Sequence, residues 1–338
     1  MISSLSKSYT RVVVLSAVIA TGAANVVDLS QPFIEDEAAM TTSPGAAKII
    51  EVASSDSLIR AAVVLEDGNV VTKYYRDDVD GTLPNQVWST TKSWTSFIIG
   101  MLVDDGILSI DDTLGDIFTD ESAWVDIDDN STDFRKNVSI KDMLTMTSGL
   151  VTPPEEDMAQ LMMMSPEDQA EAMASFDTSG PEVDAGGASL SDSLAHPAIG
   201  RKDEFHYLGL NNILSYVIKE RTGGMTPREY LSKNVLSKLG IKEDEYDWRQ
   251  NTDLMEHAYA GLNLTALQMA KLPQLYLQGG KYKPSNTSNA ASDDSQLISK
   301  EWIDDSVKTH ASNEFMDYGE STILCVYYHS YLPLDSLL

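Results

Sequence analysis

Sulfur chemistry is nearly absent from this chain. Its 338 residues include one cysteine, Cys325. No disulfide can close within the chain, and no multi-cysteine metal site can be built. Histidine is sparse as well, with five residues and no metal-ligand spacing among them; no metal and no cofactor are expected. Basic residues are few: 24 Lys and Arg stand against 52 Asp and Glu, for a formal net charge of −28. That excludes the basic face a nucleic-acid partner needs, and it opposes docking on an anionic membrane. The plain reading is a solvated acidic surface. The pair Gly279-Gly280 is no phosphate loop, since no lysine-serine pair follows it after a strand.

What is there suits one large domain or two interleaved subdomains: the length is ample, and apolar residues make up an ordinary 42%. Residues 1–24 read as a secretory signal. Lys7 and Arg11 supply a basic start, Val12 to Ala20 an apolar core too short to span a bilayer, and Gly22-Ala23-Ala24 the small residues for cleavage. The expected location is therefore the secretory route or outside the cell, the periplasm in a bacterium. Asn130, Asn137, Asn263 and Asn286 each open an Asn-x-Ser/Thr sequence, a glycosylation candidate in a eukaryotic route. Residues 25–43 are acidic and irregular, and read as a linker.

One stretch organises the rest: Val87-Trp88-Ser89-Thr90-Thr91-Lys92-Ser93-Trp94-Thr95, running into Phe97 to Gly106. It predicts a long buried helix with Ser89 at its N-terminal edge, where Ser is a favoured cap. Residues i and i+3 share a helix face, so the Lys92 amine can reach the Ser89 hydroxyl. A serine needs a base to become a nucleophile. A lysine in an apolar pocket loses part of its preference for the charged form and can serve as that base. The helix N-terminus adds N–H groups that favour developing negative charge. The bare Ser-x-x-Lys pattern is weak evidence, because Ser4-Leu5-Ser6-Lys7 repeats it. A simple helix cap with a surface lysine would look the same.

Elsewhere, Ala46 to Ser54 are loosely helix-like. Leu58 to Leu65 and Val70 to Tyr75 flank a turn with Asp67-Gly68, which predicts a β-hairpin. The all-apolar Ala61 to Leu65 suggests a strand covered on both faces. Asp77 to Pro84 form a loop. Ser139 to Thr147 predict a helix opened by a capping box from Ser139 to Asp142. Residues 152–195, with Leu161-Met162-Met163-Met164, are either a surface insertion or one wall of a cleft. Asn211 to Arg221 predict a helix closed at Thr222-Gly223-Gly224.

The wording Trp88-Ser89-Thr90-Thr91-Lys92-Ser93 before an apolar run resembles the nucleophile helix of the class C β-lactamase-related serine hydrolases. Val138 to Leu150 resembles a second landmark of that family, a structural one. Phe205-His206-Tyr207 before a helix resembles its second catalytic motif, and Tyr230 to Ile241, Ala260 to Gly280 and Leu297 to Trp302 continue the likeness, over roughly residues 45 to 319. The resemblance implies an α+β fold of the β-lactamase/transpeptidase type: an antiparallel sheet flanked by helices, with an all-helical subdomain inserted. The domain would span 44–338, its α/β part at 44–88 and about 295–338 and its helical part at about 89–294. Ser89 would be the acylated nucleophile, with Lys92 and Tyr207 managing the proton; a tyrosine near a lysine can relay one. The family has Asn or Ser two positions after this tyrosine, where this chain has Gly209. Asn211 or Asn212 is left to supply the substrate-binding amide, Asn211 being the candidate. After Gly319 the likeness stops, which implies that the family's C-terminal strands and their third motif are missing, and that the hairpin keeps an open edge. The implied partner is a small-molecule ester or amide, a β-lactam or D-amino-acid peptide included. The rival reading is an inactive relative that keeps the fold for binding. Nothing in the sequence sets the oligomeric state.

Overall fold

A computed structural model describes residues 13–19, 26–36, 44–55, 59–120, 124, 134–150, 190, 203, 205, 212–251, 253–284, 295–312 and 317–318. Tyr207, Asn211, Gly209, Cys325, most of 152–195 and everything past 318 lie outside the described residues.

The chain opens with strand β1 (Val13–Ile19), helix α1 (Pro44–Ser55), and strands β2 (Ile59–Glu66) and β3 (Asn69–Tyr75). β2 and β3 form the expected antiparallel hairpin. Its two-residue turn puts Asp67 at φ 49° and Gly68 at φ 83°, the left-handed pair whose twist matches that of the flanking strands. Ala61, Val63 and Leu65 face one way, with Val70, and pack on Ala266 and Ala270. Ala62 and Val64 face the other way and pack with Ala53 and Ala46 of α1. The strand is covered on both faces, as its unbroken apolar run requires.

Two N-terminal stretches pack against the hairpin. Val13–Ile19, inside the expected secretory leader, runs parallel to β2 in register from Val14 beside Ala61 to Val18 beside Leu65. The expected open edge of β2 is therefore occupied, and the sheet order is β1-β2-β3. A short apolar β-branched run serves equally as leader core or strand, which is why the sequence alone favoured the first use. Likewise residues 26–36, inside the expected linker, are docked. Val70 N–H donates to the Ile34 carbonyl at 2.8 Å, and Asp36 N–H to the Val70 carbonyl at 2.9 Å. Lys271 Nζ donates to the carbonyls of Leu29 and Gln31 at 3.0 and 2.7 Å. The strap thus ties β3 to the helical part.

The helical part begins with the short strand β4 (Asn85–Gln86), the 3-10 turn Trp88–Thr90 and α2 (Thr91–Asp104). Every residue of α2 from Thr91 to Leu102 is buried, so this is a core helix rather than an amphipathic surface one. Gly100 makes that possible: a Cβ there would run into the Trp302 indole. There follow α3 (Leu114–Ile117), α4 (Ile140–Leu144), α5 (Ile213–Arg221), α6 (Pro227–Asn234), β5 (Asp247–Trp248), β6 (Leu262–Leu264), α7 (Ala266–Met269), α8 (Lys271–Leu277), the pair β7 (Lys281–Tyr282) and β8 (Ser295–Gln296), α9 (Lys300–Ser306), and the pair β9 (Ala311–Ser312) and β10 (Asp317–Tyr318). The capping box at α4 is present: the Ser139 hydroxyl accepts from Asp142 N–H while the Asp142 carboxylate takes Ser139 N–H. α5 ends at the expected place, with Gly224 N–H returning to the Lys219 carbonyl at 2.8 Å. The result is the mixed α+β arrangement expected, helices beside small sheets that are antiparallel except where β1 joins β2.

Candidate active site

The approach to Ser89 is pinned before the serine is reached. β4 pairs with β6, Asn85 opposite Leu264 and Gln86 opposite Asn263. Val87 N–H then donates to the Leu262 carbonyl at 2.8 Å. At Trp88 the chain turns sharply, with φ at 49°. A non-glycine residue in that region costs about 1–3 kcal/mol, a strain that neighbouring structure must hold in place. The turn delivers Ser89 to the head of α2 with its side chain half-buried.

Ser89 is not the helix cap that the sequence suggests. α2 begins two residues later, at Thr91, and neither it nor the 3-10 turn has a side-chain cap. The Ser89 hydroxyl is used otherwise: Lys92 Nζ lies 3.0 Å from Ser89 Oγ. The same amine lies 3.1 Å from the Tyr259 carbonyl oxygen and 5.6 Å from the Tyr259 ring centroid. Lys92 is 4% exposed. A surface lysine of a helix's first turn would be solvated, so the capping-only reading fails on geometry. A hydroxyl beside a buried amine is the arrangement a serine nucleophile needs.

Tyr259 belongs to a segment held against α2 and α5. Thr95 Oγ1 donates to the Ala258 carbonyl at 2.7 Å, and Thr91 Oγ1 accepts from Leu262 N–H at 3.3 Å. Ser215 Oγ of α5 donates to the Glu256 carbonyl at 2.6 Å. Thr91 and Thr95 are one turn apart on α2, which is why both reach the same segment. Sequence reasoning missed Tyr259, because it acts here through a backbone carbonyl that no side-chain pattern announces. It also passed over Thr95 and His257.

The other expected site residues divide. Tyr207 and Asn211 lie outside the described residues. Asn212, the alternative amide, is buried with its side chain on His257 and Ala258. Among the described residues no group of three or more His, Cys, Asp or Glu is placed to hold a metal, and no helix is long and apolar enough to cross a membrane. A surface groove of about 860 Å³ is lined by residues that include Lys219, Arg228, Ser232, Glu243 and Asp253. Its Arg228 is already matched by Glu243 and Asp247. Ser89, Lys92 and Tyr259 are not part of it.

Comparison with known proteins agrees with this geometry. A family model described as Beta-lactamase matches residues 35–300. No curated protein matches the chain. Among solved structures, one from Bacillus anthracis described as a candidate 6-aminohexanoate-dimer hydrolase is 20% identical, with a TM-score of 0.54, over 78% of this chain and 64% of that one. An octameric penicillin-binding protein homologue from Pyrococcus abyssi is 20% identical, with a TM-score of 0.53, over 81% of this chain and 63% of that one. A penicillin-binding protein homologue from Caulobacter crescentus is 15% identical, with a TM-score of 0.54, over 86% and 82%. At such identities the structures speak for the fold, which is of the β-lactamase/transpeptidase type. The chain spans less than two thirds of the length of the first two. With a family model matched over most of its length and a Ser-x-x-Lys pair in contact at the head of a buried helix, the chain belongs to the Beta-lactamase family.

Proposed function

We propose that this protein is a serine hydrolase that cleaves a small ester or amide through an acyl-enzyme on Ser89. The observation that carries the proposal is the 3.0 Å contact between Lys92 Nζ and Ser89 Oγ, made by a lysine 4% exposed. With Nζ unprotonated, the Ser89 hydroxyl donates its proton to the amine as Oγ attacks the acyl carbon. The tetrahedral oxyanion is met by the Ser89 N–H at the head of the 3-10 turn. The proton passes to the leaving group, which departs, and a water then repeats the sequence to free Ser89. Tyr207, on the strength of the family resemblance, is the relay for that proton. The names of two structural neighbours, a candidate hydrolase and a penicillin-binding protein homologue, fit acyl donors of this class. β-Lactams and D-amino-acid peptides fall within it.

The test is turnover of a series of p-nitrophenyl esters beside a chromogenic cephalosporin, with Ser89→Ala as the background. Turnover above that background with any member supports the proposal. Binding of the same compounds without turnover in either protein favours the reading of an inactive relative, for which Gly209 is the motivating departure from the family pattern.

A further inference from the structure

The segment from Glu256 to Leu262 meets α5 through an amide that uses both of its ends. Asn212, the residue before α5, accepts from Ala258 N–H through Oδ1 at 3.2 Å. Its Nδ2 lies 3.2 Å from His257 Nδ1. A backbone N–H can only donate, so the amide oxygen must face Ala258 and the NH2 must face the imidazole. His257 Nδ1 is therefore an acceptor, and the proton of the neutral ring lies on Nε2. The backbone of His257 is fixed too: Trp248 Nε1 donates to its carbonyl at 2.9 Å, and its N–H donates to the Arg249 carbonyl at 3.1 Å. Asn212 and His257 are 1% and 5% exposed. The His257 ring stands edge-on to the Tyr259 ring, with centroids 5.7 Å apart.

We infer that Asn212 and His257 are positioning residues for Lys92. They act through the Tyr259 carbonyl, and the inference rests on the Ser89 acyl-enzyme reading. The chain of contacts is short. Asn212 sets the His257–Ala258 peptide, Thr95 takes the Ala258 carbonyl, and the next carbonyl, Tyr259, meets Lys92 Nζ at 3.1 Å. A neutral amine has two N–H groups and one lone pair. With one N–H held by Tyr259, the lone pair can be directed at Ser89 Oγ, 3.0 Å away. Displacing that acceptor turns the amine away from this direction, and the reactive geometry is populated less. A displacement of about 1 Å from productive geometry can cost on the order of 10²-fold in rate. Neither Asn212 nor His257 needs to touch the substrate for this, so the loss falls on the chemical step and leaves binding alone.

The experiment is saturable inactivation by a fluorophosphonate, which separates the probe's binding constant from the rate of acylation. The variants are Asn212→Ala, His257→Leu and His257→Asn, each compared with wild type by melting temperature. His257→Asn keeps an acceptor where Nδ1 stands; His257→Leu removes it. Asn212→Ala and His257→Leu are expected to lower the acylation rate roughly 10–100-fold with the probe's binding constant within about threefold. His257→Asn is expected to restore most of the rate. In wild type, the imidazole 15N shifts should report the Nε2–H tautomer. Should Asn212→Ala fail to fold, the His257→Leu and His257→Asn pair decides the matter. The inference is overturned if folded His257→Leu acylates as fast as wild type, if rate and binding fall together in every variant, or if the ring carries its proton on Nδ1. Wild type that takes no label on Ser89 would remove the acyl-enzyme reading and this inference with it. Wild type labelled on Ser89, with His257→Leu labelled equally fast, would remove this inference alone.

Discussion

Ser89 and Lys92, one helical turn apart, meet through their side chains at 3.0 Å while the lysine is shut away from solvent. The spacing alone permits this contact, but does not enforce it. What enforces it is the surrounding structure: β4 held by β6, the strained turn at Trp88, and the Tyr259 carbonyl that takes the same amine. The first consequence concerns rate. Lys92→Ala is expected to lower kcat for any ester the protein turns over by roughly 10²–10⁴-fold, the usual worth of a positioned general base. Lys92→Arg should not rescue it, since a guanidinium stays protonated. Steady-state kinetics with a p-nitrophenyl ester checks this, and an Arg variant with near wild-type kcat would show that Lys92 contributes only charge.

Lys92 and Tyr207 are proposed to handle one proton, so their losses should not multiply. Lys92→Ala and Tyr207→Phe should each remove most of the activity, and the double variant little more. A double-mutant cycle on kcat measures this. Independent, multiplicative losses would leave one of the two with a packing role.

Stability depends on the strand that covers β2. Removing residues 1–24 takes away β1, whose pairing runs along β2 from Val13 to Ile19. The freed edge of an apolar strand invites self-association. The shortened protein is expected to melt lower and to aggregate sooner than the full chain, as read by thermal denaturation with light scattering. Equal melting and equal solubility would mean that β1 adds nothing to the folded state. Export with cleavage would produce this same shortened protein, so the measurement also bears on the secretory expectation.

Gly280 sits at φ 77°, where a Cβ would run into the Ile298 carbonyl. Gly280→Ala is expected to cost about 1–3 kcal/mol through backbone conformation, with the collision added. Gly223, also at positive φ but with open space around it, should suffer only the backbone part. Denaturant melts of the two variants give the comparison, and equal losses would show that the Ile298 contact yields freely.

Lys271 makes a pH prediction. Burial pulls its pKa down to about 8, against a smaller opposing pull from Asp28. In the unfolded chain the group titrates near the ordinary lysine value of about 10.4. Between these values the unfolded chain binds more protons than the folded one, so this group makes stability rise with pH from about 8 to about 10.4. Lys271→Met, which keeps an unbranched chain beside the Phe33 ring, should lack that rise. The difference in unfolding free energy between wild type and variant at pH 7.5 and pH 10 reads it, and a difference that does not change with pH would show that Lys271 is ordinary in the folded state.

How much of this could be read from the residues alone differs by element. The hairpin announced itself through Asp67-Gly68 between β-rich runs, and α4 through Ser139 and Asp142, because turn and cap chemistry is local. Ser89 and Lys92 were legible as a pair, but a hydroxyl near a helix start can cap or be activated, and the helix beginning at Thr91 is what tells the two apart. The pairing of Val13–Ile19 with β2 was not legible, because an apolar run carries no mark of its partner. Tyr259 was invisible for a different reason. Its contribution is a carbonyl, which every residue has, and its place is set by Thr95, Asn212 and Ser215 from two distant helices.

Intact-protein and peptide mass spectrometry after a fluorophosphonate probe shows whether Ser89 is acylated with Lys92 as its base. One adduct per chain is expected, on the peptide that carries Ser89, absent from Ser89→Ala and slowed by roughly 10²-fold or more in Lys92→Ala. An adduct on another serine, or labelling of Ser89→Ala at the wild-type rate, would contradict it.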